Sequence, residues 1–204
     1  MYKYKVSVII PVYNQEELVI KAIESVPTRD DIEILVIDDA STDNTYKNVQ
    51  DYANEHLDKN IIILNNSENK GVAYTVNKGY DNANGEYLVL LGSDDYFYTD
   101  KFNEIMQQLD GTDLIYFNLQ VNNGDVWKVT PQNKTGLCGS VKFMKKSFIA
   151  DTRNPIDKKA GEDFYFYKEL LNKNPSEKFT DITVKHYNYP RENSLTDLVK
   201  KGVI

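Results

Sequence analysis

Four short apolar runs, KVSVIIPV, IEILVID, IIILN and YLVLLG, punctuate the first part of the chain, each stopping at a polar residue or a glycine. They are β-branched or Leu-rich and too short for helices, so they predict strands. Helical spacing fills the gaps. QEELVIKAIESV sets Leu18, Ile20, Ala22, Ile23 and Val26 mainly on one face. Asp43 to Leu57 opens on the cap-rich STDNT and aligns Tyr46, Val49, Tyr52 and Ala53, while Gly71 to Ala83 places Val72, Val76 and Tyr80 at i, i+4 and i+8. Continuous apolar strands alternating with helices predict an α/β, Rossmann-like, mostly parallel sheet covered on both faces. Such sheets bind ligands at the carboxyl ends of their strands. The polar clusters Tyr13-Asn14, Asp38-Asp39, Asn65-Asn66 and Ser93-Asp94-Asp95 fall there.

The second part has a different rhythm. DLIYFNLQV and DVWKVTP flank Asn122-Asn123-Gly124, which predicts a hairpin with a tight turn. Ser140 is expected to cap a helix running through Ile149, residues 150–161 to form a polar loop, and a helix to span Glu162 to Asn172. A strand, FTDITVKHYNY, and a polar tail follow.

Composition narrows the function classes. A net charge of -7 over 204 residues argues against broad nucleic-acid binding. A single cysteine, Cys138, and two histidines give neither a disulfide nor a zinc framework, which suits a reducing cytosol. The apolar run at Val6 to Val12 is short, contains Ser7 and Pro11 and lacks a small-residue cleavage site, so it reads as a first strand and not a targeting segment. No stretch reaches the length of a membrane span, so the expectation is a cytoplasmic protein, with a peripheral place at the inner face of a membrane left open.

Taken singly, each polar cluster has two readings. In VIDDASTDNT one carboxylate is free to accept from a ligand N–H, or Asp38 caps the helix and Asp39 is solvated. Tyr13 can offer a flat ring to a base, or pack on a neighbouring helix. Asp94-Asp95 can hold Mg²⁺ or Mn²⁺, or simply stop the strand while Thr99 caps the next helix. Both acids reach one ligand only if the backbone turns, which Gly92 and Ser93 make easy. Glu162-Asp163 can serve a general base, or complement a helix dipole. Lys185, His186 and Arg191 are cations able to approach a diphosphate, or surface residues.

Together and in this order, SVIIPVYN, VIDDASTDNT, NKGVAYTVNKGYDNANGEYLVLLGSDD, GEDFYFYKEL and YNYPRENSLT resemble the family 2 glycosyltransferases of the GT-A fold, over about Val6 to Thr196. The resemblance implies a single GT-A domain over 1–204, with a nucleotide-sugar-binding half at about 1–100 and a smaller mixed, acceptor-side half at about 101–204. It implies a nucleotide-diphosphate sugar donor, UDP favoured, a divalent cation, Mn²⁺ or Mg²⁺, and a glycan, lipid-linked or protein acceptor. Pro11, Tyr13, Asp39, Asn69, Asp94, His186 and Arg191 would contact the donor, and Asp94 and Asp95 the metal. Asp163 would be the catalytic base of an inverting displacement, with Glu162 on the acceptor or sugar side.

Two positions depart from the pattern. Gly92 stands where many members begin Asp-x-Asp-Asp, and Val76 where many have an arginine before Asn77, leaving Lys70 or Lys78 to supply that contact. These departures make a non-catalytic sugar-nucleotide-binding module the alternative. A nucleotidyltransferase would need a glycine-rich basic loop after the first strand, and YNQEE is acidic and lacks glycine.

Overall fold

The computed structural model describes residues 2–137, 139–158, 161–192 and 201, so Cys138 and the tail segment 193–196 (NSLT) lie outside the described residues. Strand β1 (Tyr4–Val12) lies between two parallel partners, β2 (Ile32–Asp38) and β4 (Gly85–Leu90), and β3 (Asn60–Asn65) pairs in parallel with β2. The connections are helices α1 (Val19–Glu24), α2 (Thr45–Glu55) and α3 (Val72–Asn82). Downstream come β5 (Tyr96–Phe97), α4 (Thr99–Met106), β6 (Leu114–Val121), β7 (Val126–Trp127), β8 (Lys142–Lys145), α5 (Lys146–Ile149), α6 (Glu162–Asn172) and β9 (Glu177–Tyr187). All strands join one nine-stranded sheet in the order β3-β2-β1-β4-β8-β6-β9-β5, with β7 paired to β6.

The period-2 alternation of the strands divides the core between two faces. Val6, Val8 and Ile10 of β1 pack on one face with Ile23 of α1, Val49 of α2 and Phe102 of α4. Ile9, Leu35 and Ile37 pack on the other with Val76 and Tyr80 of α3 and Phe166 and Leu170 of α6. The strands read as unbroken apolar runs because both faces are covered. Helix α3 lies so close to the sheet that a Cβ on Gly79 would stand 2.5 Å from Ile9 Cγ2.

The Asn122–Gly124 hairpin forms, with the Val121 N–H donating to Asp125 O at 3.0 Å and Gly124 at φ +89°. Two expectations are corrected. Residues 142–145 are strand β8, not part of a helix capped by Ser140; only 146–149 are helical. Phe143 faces one core and Met144 the other, and β8 lies antiparallel to both β4 and β6, whose backbones it satisfies. Thr99 opens α4 but does not cap it. Tyr98 is the cap residue, and the Thr99 hydroxyl donates to Ser25 O at 3.2 Å.

Candidate active site

The carboxyl ends of β1, β2 and β4 border a cleft of about 660 Å³. Pro11 and Tyr13 line it where β1 ends, and Tyr13 is 43% exposed. The segment after Tyr13 is laced to STDNT. The Asn14 N–H donates to Ser41 Oγ at 3.0 Å, the Thr42 N–H to Asn14 Oδ1 at 2.8 Å, and the Gln15 N–H to Thr45 Oγ1 at 2.8 Å. The polar cluster after β2 therefore fixes the direction of the Tyr13 segment.

The adjacent acids Asp38 and Asp39 take different parts. Asp38 accepts the Ser41 N–H at 3.0 Å and does not line the cleft. Asp39 lines it, though only 4% exposed. Its Oδ1 accepts from Asn66 Nδ2 at 2.7 Å and the Lys70 N–H at 2.9 Å, and its Oδ2 accepts the Gly71 N–H at 2.8 Å. A carboxylate offers about four acceptor positions, so one is left for a ligand donor. These bonds hold the loop before α3, where Gly71 adopts φ +84° and Asn69 reaches the same cleft.

After β4 the backbone turns, with the Asp95 N–H donating to Gly92 O at 3.0 Å, and both Asp94 and Asp95 line the cleft. Each acid meets a cation from the chain's second part. Asp95 Oδ2 accepts from Lys185 Nζ at 3.0 Å, and its Oδ1 accepts the Asn188 N–H at 2.9 Å. Lys185 is 1% exposed and also donates to Ser140 Oγ. Asp94 Oδ2 lies 2.8 Å from Arg191 Nε. Burial, and then the neighbouring charge of Asp95, raise the Asp94 pKa above the ordinary carboxylate value, while Arg191 and Lys185 draw it back.

His186 is not among the residues lining the cleft. Alternation along β9 puts it on the side opposite Lys185, where its ring stacks on Tyr96 at 4.5 Å. Burial, and then the charge of Lys21, lower its pKa. Lys185 does not line the cleft either, but it reaches cleft-lining Asp95 from the other side of β9. Ser140, expected to cap a helix, and the Asn188 backbone are the other partners at this acidic end; nothing in local sequence marks an N–H donor.

Neither Lys70 nor Lys78, the candidates to supply the contact absent at Val76, is among the residues lining the cleft. Lys70 pairs with Glu68, and Lys78 Nζ donates to Asn65 O at 2.7 Å and Asn66 Oδ1 at 3.0 Å. Glu162 and Asp163 open α6 outside the cleft lining. The Asp163 carboxylate lies beside Gly139, where an added Cβ would stand 3.2 Å from its Oδ2, one residue before cleft-lining Ser140. Burial, and then Asp163, raise the Glu162 pKa.

A parallel sheet with a polar cleft across its strand ends, extended by a mixed second part, is the GT-A type of α/β fold. S. aureus TarS in complex with UDP-GlcNAc superposes with a TM-score of 0.80 at 23% identity, covering 93% of this chain and 60% of that one. A mannosyltransferase from Pyrobaculum calidifontis, in complex with GDP-Man and Mn²⁺, gives a TM-score of 0.73 at 20% identity, covering 95% of this chain and 59% of that one. The chain belongs to Glycosyl transferase family 2, whose model matches residues 7–176.

Among curated relatives, a GalNAc(5)-diNAcBac-PP-undecaprenol β-1,3-glucosyltransferase of Campylobacter jejuni is 32% identical over 181 residues, 86% of this chain and 56% of its own length. A UDP-Glc:α-D-GlcNAc-diphosphoundecaprenol β-1,3-glucosyltransferase of Escherichia coli is 35% identical over 115 residues, 55% of this chain and 44% of its own length. The chain thus spans about half the length of these relatives. No helix among the described residues is long and apolar enough to cross a membrane.

Proposed function

We propose that the chain transfers a sugar, with inversion, from a UDP-sugar to a hydroxyl of a lipid-linked glycan. One observation carries this reading: Tyr13, Asp39, Asn69, Asp94, Asp95 and Arg191, far apart in sequence, line a single cleft. Tyr13 offers its ring to the base, and Asp39 its remaining acceptor position to an imide N–H. Arg191 is placed to meet the diphosphate. The donor and acceptor classes follow the relatives, one named for UDP-Glc and both for undecaprenol-diphosphate-linked sugars. On this reading residues from about 1 to 100 carry most of the donor site, Arg191 reaches it from the acceptor-side half at about 101–204, and catalysis takes place at the inner face of a membrane.

In the transfer step Asp163 takes the proton of the acceptor hydroxyl. The hydroxyl oxygen then bonds to the anomeric carbon, while the bond from that carbon to the diphosphate oxygen breaks on the opposite face. The electron pair leaves with the nucleoside diphosphate, where Arg191 stabilises the charge. Glu162, half-buried beside Asp163, faces the sugar or acceptor.

No group of three or more His, Cys, Asp or Glu side chains able to hold a metal occurs among the described residues. The cleft still fits Mg²⁺ or Mn²⁺, which bind through one or two carboxylates plus substrate phosphates. Asp94 and Asp95, both lining the cleft, are the carboxylates that would hold it. When bound, the ion supplies positive charge to the diphosphate leaving group.

Thermal shift with UDP-, GDP- and ADP-sugars in the presence of Mn²⁺ tests the reading. A rise in Tm selective for one UDP-sugar supports it. Equal response to all three, or to none, contradicts it.

A further inference from the structure

We propose that Lys142, through the Gly139 it holds, is a positioning residue that seats the carboxylate of Asp163. The inference rests on the reading of Asp163 as the base and deepens it. Alternation along β8 turns Lys142 to the face of Met144, the face on which α6 packs. Lys142 is 3% exposed; its ammonium lies 4.2 Å from the centre of the Tyr167 ring and donates to Gly139 O at 3.0 Å. Tyr167 follows Asp163 by four residues, so the two share one side of α6. Lys142 thus joins the helix that carries the base to the segment against its carboxylate, where a Cβ on Gly139 would stand 3.2 Å from Asp163 Oδ2.

A buried ammonium is kept only where acceptors converge on it, and the groups it holds are fixed in return. Its strand neighbours Phe143 and Met144 fill the two cores with apolar atoms, so packing alone does not call for an ammonium here. Tyr167 is itself anchored. Its hydroxyl and that of Tyr116 lie 2.6 Å apart, and Tyr116 donates to Glu177 Oε1 at 2.6 Å, which ties this side of α6 to β6 and β9. The far end of the held segment faces the donor: Ser140 lines the cleft and accepts from Lys185, the partner of Asp95. Gly139-Ser140 therefore runs from the base to the acidic end of the cleft. A base must stand within hydrogen-bond reach of the hydroxyl it deprotonates, and a displacement of about 1 Å can cost roughly 100-fold in rate.

The test is a double-mutant cycle read as UDP release from UDP-Glc with α-D-GlcNAc-diphosphoundecaprenol as acceptor, the pair for which the Escherichia coli relative is named. Lys142→Met is expected to lower kcat by about tenfold or more in the unaltered background and by less than about twofold in Asp163→Asn, with donor Kd within about threefold in both. A lysine that only supports the core costs the same in both backgrounds. That result, or a folded Lys142→Met that loses less than the expected kcat, overturns the proposal. If Lys142→Met melts below the assay temperature, Gly139→Ala takes its place in the cycle with the same two outcomes. Crystallography of either variant gives a readout without turnover: the Asp163 carboxylate should leave its place beside residue 139, and an unmoved carboxylate overturns the proposal. Undiminished turnover in Asp163→Asn removes the base and this inference with it. Turnover lost in Asp163→Asn but full in Lys142→Met and Gly139→Ala overturns this inference alone.

Discussion

Asp94 and Arg191 meet at 2.8 Å, joining the end of the fourth parallel strand to the segment that follows the last. Their side chains are 19% and 28% exposed, so removing one partner strands a largely buried charge, and Arg191→Ala should lower the unfolding midpoint. A second cost should fall on the ligand: loss of charge-assisted bonds to a diphosphate weakens UDP affinity by roughly 10- to 100-fold. Calorimetry checks this, and unchanged UDP affinity would remove Arg191 from the donor site.

Metal removal should act on turnover. Treatment with EDTA is expected to abolish UDP release from the UDP-sugar, and added Mn²⁺ or Mg²⁺ to restore it. Full turnover in EDTA would exclude a metal role for Asp94.

The closeness of α3 to the sheet gives a stability prediction. Gly79→Ala introduces a Cβ 2.5 Å from Ile9 Cγ2 and 3.1 Å from Ile37 Cδ1, both deep in the core. Overpacking of this kind costs about 1–3 kcal/mol, more than the helix-propensity gain of alanine over glycine, which is at most about 1 kcal/mol. Urea denaturation should show a lower midpoint. A stabilised variant would contradict the close packing of α3 on β1.

Alkali should destabilise the fold through buried phenols. Burial pushes Tyr87 up from 10.0 to about 12, and burial likewise raises Tyr80 and Tyr116. Below pH 10 both folded and unfolded chains keep these protons, so the full stability is present. As pH rises from 10 towards 12 the unfolded chain ionises first, and stability falls. Tyr87→Phe should shallow that decline while lowering stability at neutral pH by about 1 kcal/mol, because the hydroxyl bonds Thr112 O and the Gly111 N–H are lost. Melts recorded across this range check the slope; identical slopes would contradict the assignment.

Much of this architecture was legible because it rests on local signals. The apolar runs and the helical spacing of Val72, Val76 and Tyr80 mark the β/α alternation, and the strand-end rule brings Tyr13, Asp39 and Asp94 to one cleft. Residues 142–145 were not legible, because a strand of four residues carries too little periodicity to outweigh a helix reading. Its identity is decided by β4 and β6, distant in sequence, between which it fits. Charge alone marks both Lys185 and His186, and only the parity of β9 relative to Asp95 separates the cation that meets this acid from the ring stacked on Tyr96. The pairing of Asp95 with Asn188 left no local signal, since the donor is a backbone N–H.

Glycosyl transfer in this cleft with Asp163 as the proposed base is tested by comparing Asp163→Asn with the unaltered protein in two measurements, turnover to UDP with an acceptor present and donor affinity by calorimetry. The expected kcat is lower by about 10²- to 10⁴-fold, with donor Kd within about threefold. Undiminished turnover, or a donor affinity that falls in step with kcat, would contradict it.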